Sequence, residues 1–152
     1  MNDERLISNR EPLHIMEQQE ILDEITREIL PTLPHEWTRL IARGMFVGRH
    51  TDAETGIKMP NGSILPWQFP TPVWRRFQDL RKGMYTEGFG TWFEFEYILE
   101  PPARFNIRYN RDNYPGFAVA PKAEDYALEN QRYPRSPQYI PDWFRNGLSA
   151  AH

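Results

Sequence analysis

The sequence predicts an α+β fold: an antiparallel β-sheet with a long N-terminal helix, a middle helix and short C-terminal helices. Three observations carry this. Residues 91–110, TWFEFEYILEPPARFNIRYN, alternate apolar and polar side chains on either side of a Pro-Pro turn; Asn61-Gly62 marks a second hairpin; and the stretches around Ile25 and Phe77 carry apolar residues at helical spacing. The order helix, strands, helix, hairpin, short helices segregates the strand types from the helices, unlike an alternating βα chain.

The first helix is expected because Ile15, Leu22, Ile25 and Ile29 recur on one face while Glu17, Gln18, Asp23, Glu24 and Arg27 fill the others. Ser8 and Glu11 have the spacing of a capping box. Pro12 then falls in the first turn, where a missing N–H costs little, and Pro31 and Pro34 end the helix. Residues 37–50 fit either a strand or a short helix, with Arg39 and Arg43 set among Leu40, Ile41, Met45, Phe46 and Val47; the strand is preferred. Residues 52–56 read as a turn by composition, and Asn61-Gly62 suits the positive φ values of a tight hairpin. Pro66, Pro70 and Pro72 stiffen the connection around Trp67 and Phe69. Val73, Trp74, Phe77, Leu80, Arg81 and Met84 then step along a second amphipathic helix, which Gly83, Gly88 and Gly90 bring to its end. Short helices are expected over residues 123–131 and 141–148, the second started by Pro141 and Asp142. No repeat or composition shift divides residues 1–152, which read as one domain.

In the aromatic hairpin, Phe93, Phe95, Tyr97 and Leu99 are expected on one face and Glu94 and Glu96 on the other. Turning at Pro101-Pro102 pairs Phe95 with Ile107, Tyr97 with Phe105 and Phe93 with Tyr109. Glu94 then lies opposite Arg108 and Glu96 opposite Asn106, all compatible cross-strand pairs.

Composition narrows the class. At 152 residues with 39% hydrophobic content, the chain can bury roughly 70% of its unfolded surface without staples. It has no cysteine, hence no disulfide framework and no thiolate metal site. MNDERLISNREP lacks the apolar run of a signal peptide, and no stretch approaches the roughly 20 apolar residues of a membrane span, so the expected location is the cytoplasm. A net charge of −3 with interspersed signs argues against a nucleic-acid surface. The unusual figures are 14% aromatic residues and fourteen prolines, which suit a compact fold with many fixed turns.

Chemistry-bearing motifs are mostly absent. His14, His35, His50 and His152 form no close pair on a helix, and His50 with Asp52 and Glu54, the nearest approach to a metal cluster, reads as a solvated turn. Gly44 and Gly48 lack the Lys-Ser/Thr ending of a phosphate loop, and Ser8, Ser63, Ser136 and Ser149 sit in turn or cap contexts. No cofactor is expected. Glu94 and Glu96 share a strand face, as a carboxylate pair in a cleft would, but Arg104 and Arg108 project from the same face and make a cross-strand charge ladder the simpler account. Trp74 and Trp92 read as core, and Trp67 as either a loop plug or an exposed contact. Residues 109–115 have two readings as well: Asn110, Asp112, Asn113 and Pro115-Gly116 are turn formers, and the same segment presents polar side chains at the end of a rigid hairpin, where recognition residues are often found.

The long N-terminal helix, the Leu33-Pro34-His35-Glu36-Trp37 helix exit and the FNIRYNRD strand entering a polar loop together resemble the YezG-like immunity proteins that bacteria encode beside secreted polymorphic toxins. The resemblance covers most of the chain. Its departures are the Pro-rich WFEFEYILEPP connection and the YPRSPQYIPDWFRNGL tail, which looks more like versions found with actinobacterial toxins. It implies a cytosolic antitoxin, not an enzyme, that binds a cognate toxin domain and occludes its active site, the toxin being a nuclease or an NAD glycohydrolase. The interface candidates under that reading are Trp67 and Phe69 on the Pro-framed loop, Arg111, Asp112, Asn113 and Tyr114 after the hairpin, and Asp125 and Tyr126 in the following helix. When free, the protein is expected as a monomer or weak homodimer. Two other readings stay open: a noncatalytic accessory domain of a toxin or secretion system, and a small hydrolase using Glu94 or Glu96.

Overall fold

The computed structural model describes residues 11–150. Helix α1 (Ile15–Ile29) leads through a 3₁₀ turn to strand β1 (Arg39–Val47), followed by β2 (His50–Lys58), the two-residue β3 (Ile64–Leu65), helix α2 (Thr71–Gly83), β4 (Glu94–Glu100), β5 (Arg104–Asn110), α3 (Ala123–Arg132) and α4 (Asp142–Ser149). The strands form one antiparallel five-stranded sheet in the order β3-β2-β1-β4-β5. The α+β architecture expected from the sequence is the one observed.

The start of α1 differs from expectation. His14 occupies the N-cap position and its backbone N–H donates to the Glu17 carboxylate at 3.0 Å, so Pro12 precedes the helix instead of lying in its first turn. The expected cap residue Ser8 lies outside the described residues. The C-terminal end is as expected: Pro31 sits in the 3₁₀ turn that closes the helix.

Within residues 37–50 the strand alternative holds for β1, Arg39–Val47. Residues 52–56 do not form the expected turn but lie within β2, and the chain reverses earlier, at Gly48-Arg49 between Val47 and His50. Gly48 has φ +61°, and a Cβ there would strike the backbone of Asp125. Glycine is required both by the conformation and by the approach of α3.

The aromatic hairpin forms with a register displaced by two residues. Phe95 pairs with Tyr109, Tyr97 with Ile107, Leu99 with Phe105 and Glu96 with Arg108, and the ladder closes at Glu100 opposite Arg104. The expected register would have set Glu100 opposite Pro102, and proline has no N–H to give a ladder. An even displacement keeps side chains on their expected faces. Phe93 is the exception. Its N–H donates to the Asn110 carbonyl while Glu94 is the register partner of the same residue, so two residues meet one and the alternation slips there.

Helices α1 and α2 cover one sheet face, where Leu22, Ile25, Ile29, Val73, Phe77 and Leu80 meet Leu40, Ala42, Phe46, Phe95, Tyr97 and Leu99. Phe77 stacks on Phe95 with ring centroids 3.8 Å apart. Thr26 donates its hydroxyl proton to the Leu22 carbonyl, leaving Tyr97 to donate to Thr26 at 2.6 Å, and burial pushes the Tyr97 phenol up to about 12. Gly44 faces this core, and a Cβ there would run into the rings of Phe95 and Trp74. Gly44→Val is therefore expected to lower the urea midpoint by an overpacking cost of about 1 to 3 kcal/mol at unchanged denaturant slope.

A second, smaller core lies on the other side. Phe93, displaced by the slip, joins Val47, Tyr126 and Phe144 there, backed by Phe117, Ile140, Trp143 and Leu148. Helices α3 and α4 thus cover one end of the opposite sheet face and leave the rest of it to charged side chains interspersed with Ile41, Ile64 and Ile98.

Candidate functional site

The segment leaving β5 is fixed from two sides. Asn110, the last residue of the strand, donates its side-chain amide to the Glu94 carboxylate at 3.0 Å and to the Asn113 carbonyl at 2.9 Å, and accepts the Asn113 N–H at 2.9 Å. This is the local side-chain mimicry of a turn that favours asparagine at such positions. From the other side comes Arg135, whose side chain is only 5% exposed. It donates to the carbonyls of Thr91 (2.9 Å), Arg111 (2.7 Å) and Tyr139 (3.0 Å) and to the Asp112 carboxylate (3.1 Å), with its guanidinium 4.8 Å from the centre of the Phe93 ring. Burial pulls the Arg135 guanidinium below its ordinary range, opposed by Asp112. Trp143 adds an indole hydrogen bond to the Asp112 carbonyl at 2.8 Å.

What this leaves free is a short polar-aromatic surface. The Asp112 side chain is 74% exposed despite its ion pair, Asn113 is exposed, and Tyr114 is 45% exposed with its ring edge-on to Trp143 at 5.4 Å. Arg111 is half-buried. Of the eight residues expected at an interface, these four are brought together by the fold. The turn reading of the segment holds, and this turn chemistry leaves the polar side chains exposed.

The other four have structural positions. Trp67 is 7% exposed, packs in the main core and donates its indole N–H to the Thr32 hydroxyl at 2.9 Å, which corrects its assignment as a contact residue. Phe69 is half-buried between Trp67, Trp74, Phe77 and Phe95. Asp125 caps α3, accepting the Lys122 N–H at 3.1 Å. Tyr126 is 7% exposed and wedged against Phe144 and Trp143; burial raises its phenol above the ordinary range. Trp67 and Tyr126 each leave only 7% of their surface exposed.

Beside the loop, the uncovered sheet face is organised in rows across the strands. Glu54, Arg43, Glu96 and Arg108 stand side by side on β2, β1, β4 and β5. Arg43 reaches Glu94 at 3.0 Å, Glu54 at 3.6 Å and Glu96 at 3.9 Å, while Arg108 takes Glu96 at 2.7 Å. Glu94 is therefore held by Arg43 and Asn110, not by the arginines of the hairpin, and is nearly buried instead of standing on a solvated ladder. The depression over these groups has a volume of about 190 Å³, below the roughly 300 to 1,000 Å³ of ordinary ligand pockets.

Sequence reading missed Arg43, Arg135 and Trp143 as organising residues. The register partners of Arg43 come from two other strands, and the side chain of Arg135 bonds the approach to β4 and the loop after β5, so no local spacing reveals either set of contacts. A signal did exist for Arg135: an arginine framed by Pro134 and Pro137 in an aromatic-rich tail is a cation with little freedom.

No protein-family model matches the chain, and no similar protein was found among curated proteins. Among the described residues, no helix is long and apolar enough to cross a membrane, and no group of three or more His, Cys, Asp or Glu is placed to hold a metal ion.

Proposed function

We propose that this chain is an immunity protein of the YezG-like type, a noncatalytic binding protein that neutralises a cognate toxin domain in the cytosol of the cell that makes both. The observation that carries the reading is the loop at residues 111–114: its backbone is held by Asn110, Arg135 and Trp143 while Asp112, Asn113 and Tyr114 point outward. A recognition loop ordered before binding loses less conformational entropy on docking, the property an inhibitor of high affinity needs. The glutamates of the charge face favour this over a hydrolase, because Glu94 is engaged by Arg43 and Asn110, and Glu96 by Arg108. In the complex, Asp112 pairs with a cationic substrate-binding group of the toxin and Tyr114 fills part of its cleft; the toxin is a nuclease or an NAD glycohydrolase.

Coexpression with the adjacent toxin gene is expected to give a one-to-one complex on copurification and to rescue growth. Failure of both removes the proposal. Within that complex, Asp112→Ala is expected to weaken binding by about 2 to 5 kcal/mol, as for a charged anchor buried on docking, and Tyr114→Ala by a comparable amount. Titration calorimetry measures both. Unchanged affinity in both variants would move the interface elsewhere on the protein.

A further inference from the structure

The two edges of the sheet are unlike. On one side β3 is two residues long and followed by Pro66, and the exposed part of β2 is covered: the His50 ring contacts the Val119 carbonyl at 2.7 Å, Asp52 accepts the Ala118 N–H at 2.8 Å, and Thr55 donates to the Trp67 carbonyl. These are ordinary means of blunting a sheet edge. On the other side β5 runs for seven residues, Arg104–Asn110, with no proline, glycine or lysine. Among the described residues, no hydrogen bond reaches the backbone of residues 104–109 from any element but β4. Its apolar row, Phe105, Ile107 and Tyr109, is only half-buried.

The sequence of this strand is complementary to itself in one register. In an antiparallel pair related by a two-fold axis perpendicular to the sheet, opposing residues must share a face, so the axis lies midway between two copies of one residue. An axis at Asn106 would set Arg104 against Arg108, and one at Arg108 would set that arginine against its own copy. An axis at Ile107 sets Arg104 opposite Asn110, Phe105 opposite Tyr109, Asn106 opposite Arg108 and Ile107 opposite itself, using all seven residues with no arginine facing another. Arg108 and Arg104 also have carboxylates within their own chain, Glu96 at 2.7 Å and Glu100 at 3.9 Å, so the strand does not bring bare cations to the seam.

We infer that β5 is a homodimerisation edge: in the absence of another partner, two copies pair antiparallel about Ile107 and join their sheets into one. The inference stands apart from the immunity reading, since it needs no toxin. The test uses the full chain and two opposite substitutions at Asn106, which is exposed and faces Arg108 of the second copy. Sedimentation equilibrium up to about 1 mM is expected to show wild-type mass rising from the 18.1 kDa of one chain toward twice that value. Because the two-fold axis counts each pair twice, Asn106→Arg is expected to weaken the dimer about tenfold and Asn106→Asp to strengthen it about tenfold. Thermal melts of both variants, monitored at low concentration, check that each is folded. A wild-type protein monomeric throughout overturns the inference, as does a dimer whose affinity the two folded variants leave unmoved or shift in the same direction.

Discussion

Glu129→Ala is expected to lower the unfolding free energy by about 3 to 5 kcal/mol, the cost of leaving a buried partner charge uncompensated. The partner is Arg81, and the two side chains are 3% and 6% exposed, so solvent screens neither. Arg81 comes from α2 and donates to Glu129 and to the Trp92 carbonyl at 2.9 Å, with the Phe46 carbonyl at 3.4 Å, while the other Glu129 oxygen accepts the Gly48 N–H at 2.9 Å. One ion pair thereby joins α2, the β1–β2 turn, the approach to β4 and α3. Truncating Glu129 strands the guanidinium and the Gly48 amide together. Urea unfolding followed by tryptophan fluorescence measures the loss. The double variant Arg81→Met with Glu129→Leu is expected to recover only part of it, since an apolar pair avoids desolvating either charge but leaves the Gly48 N–H and the Trp92 carbonyl without partners. If Glu129→Ala alone unfolded like the wild type, the pair would be contributing nothing to the attachment of α3.

What the sequence made legible follows from which interactions are local. Both long helices show because Ile25 and Phe77 sit on apolar faces whose period is written in neighbouring residues. The hairpin shows its faces for the same reason, and hides its register because a two-residue displacement leaves every face intact. Residues 52–56 read as a turn because β2, HTDAETGIK, buries only Ile57: neither of its faces carries the apolar alternation that announces a strand, and its ladder to β1 holds it regardless. Trp67 carried no local mark of its partner, a threonine hydroxyl at the end of α1. The candidate site was half legible. Its turn formers can be read, whereas the cation that orders them, Arg135, lies at the far end of the chain, and which groups it binds shows only after folding.

Arg135→Ala is expected to separate order from contact at that site. The side chain makes four hydrogen bonds and is nearly buried, so its removal leaves the carbonyls of Thr91, Arg111 and Tyr139 without a donor and empties the space over Phe93. Hydrogen bonds to a charged group contribute about 1.5 to 3 kcal/mol each but do not add, and a total loss of about 2 to 4 kcal/mol is expected. Arg135→Lys is expected to recover little of it, because an ammonium cannot span acceptors arranged for a planar fork. Asp112→Ala removes only the exposed end of the network and is expected to change stability by less than about 1 kcal/mol. Amide hydrogen exchange distinguishes the two: the Asn113 N–H, bonded to the Asn110 side chain, is expected to exchange faster in Arg135→Ala and at the wild-type rate in Asp112→Ala. Under the immunity reading both variants bind the toxin more weakly, one through a loop that must be ordered at the moment of docking and the other through a missing contact. Unaltered exchange at Asn113 in Arg135→Ala would show that Asn110 alone holds the loop, and the buried arginine would then be a support of the second core and nothing more.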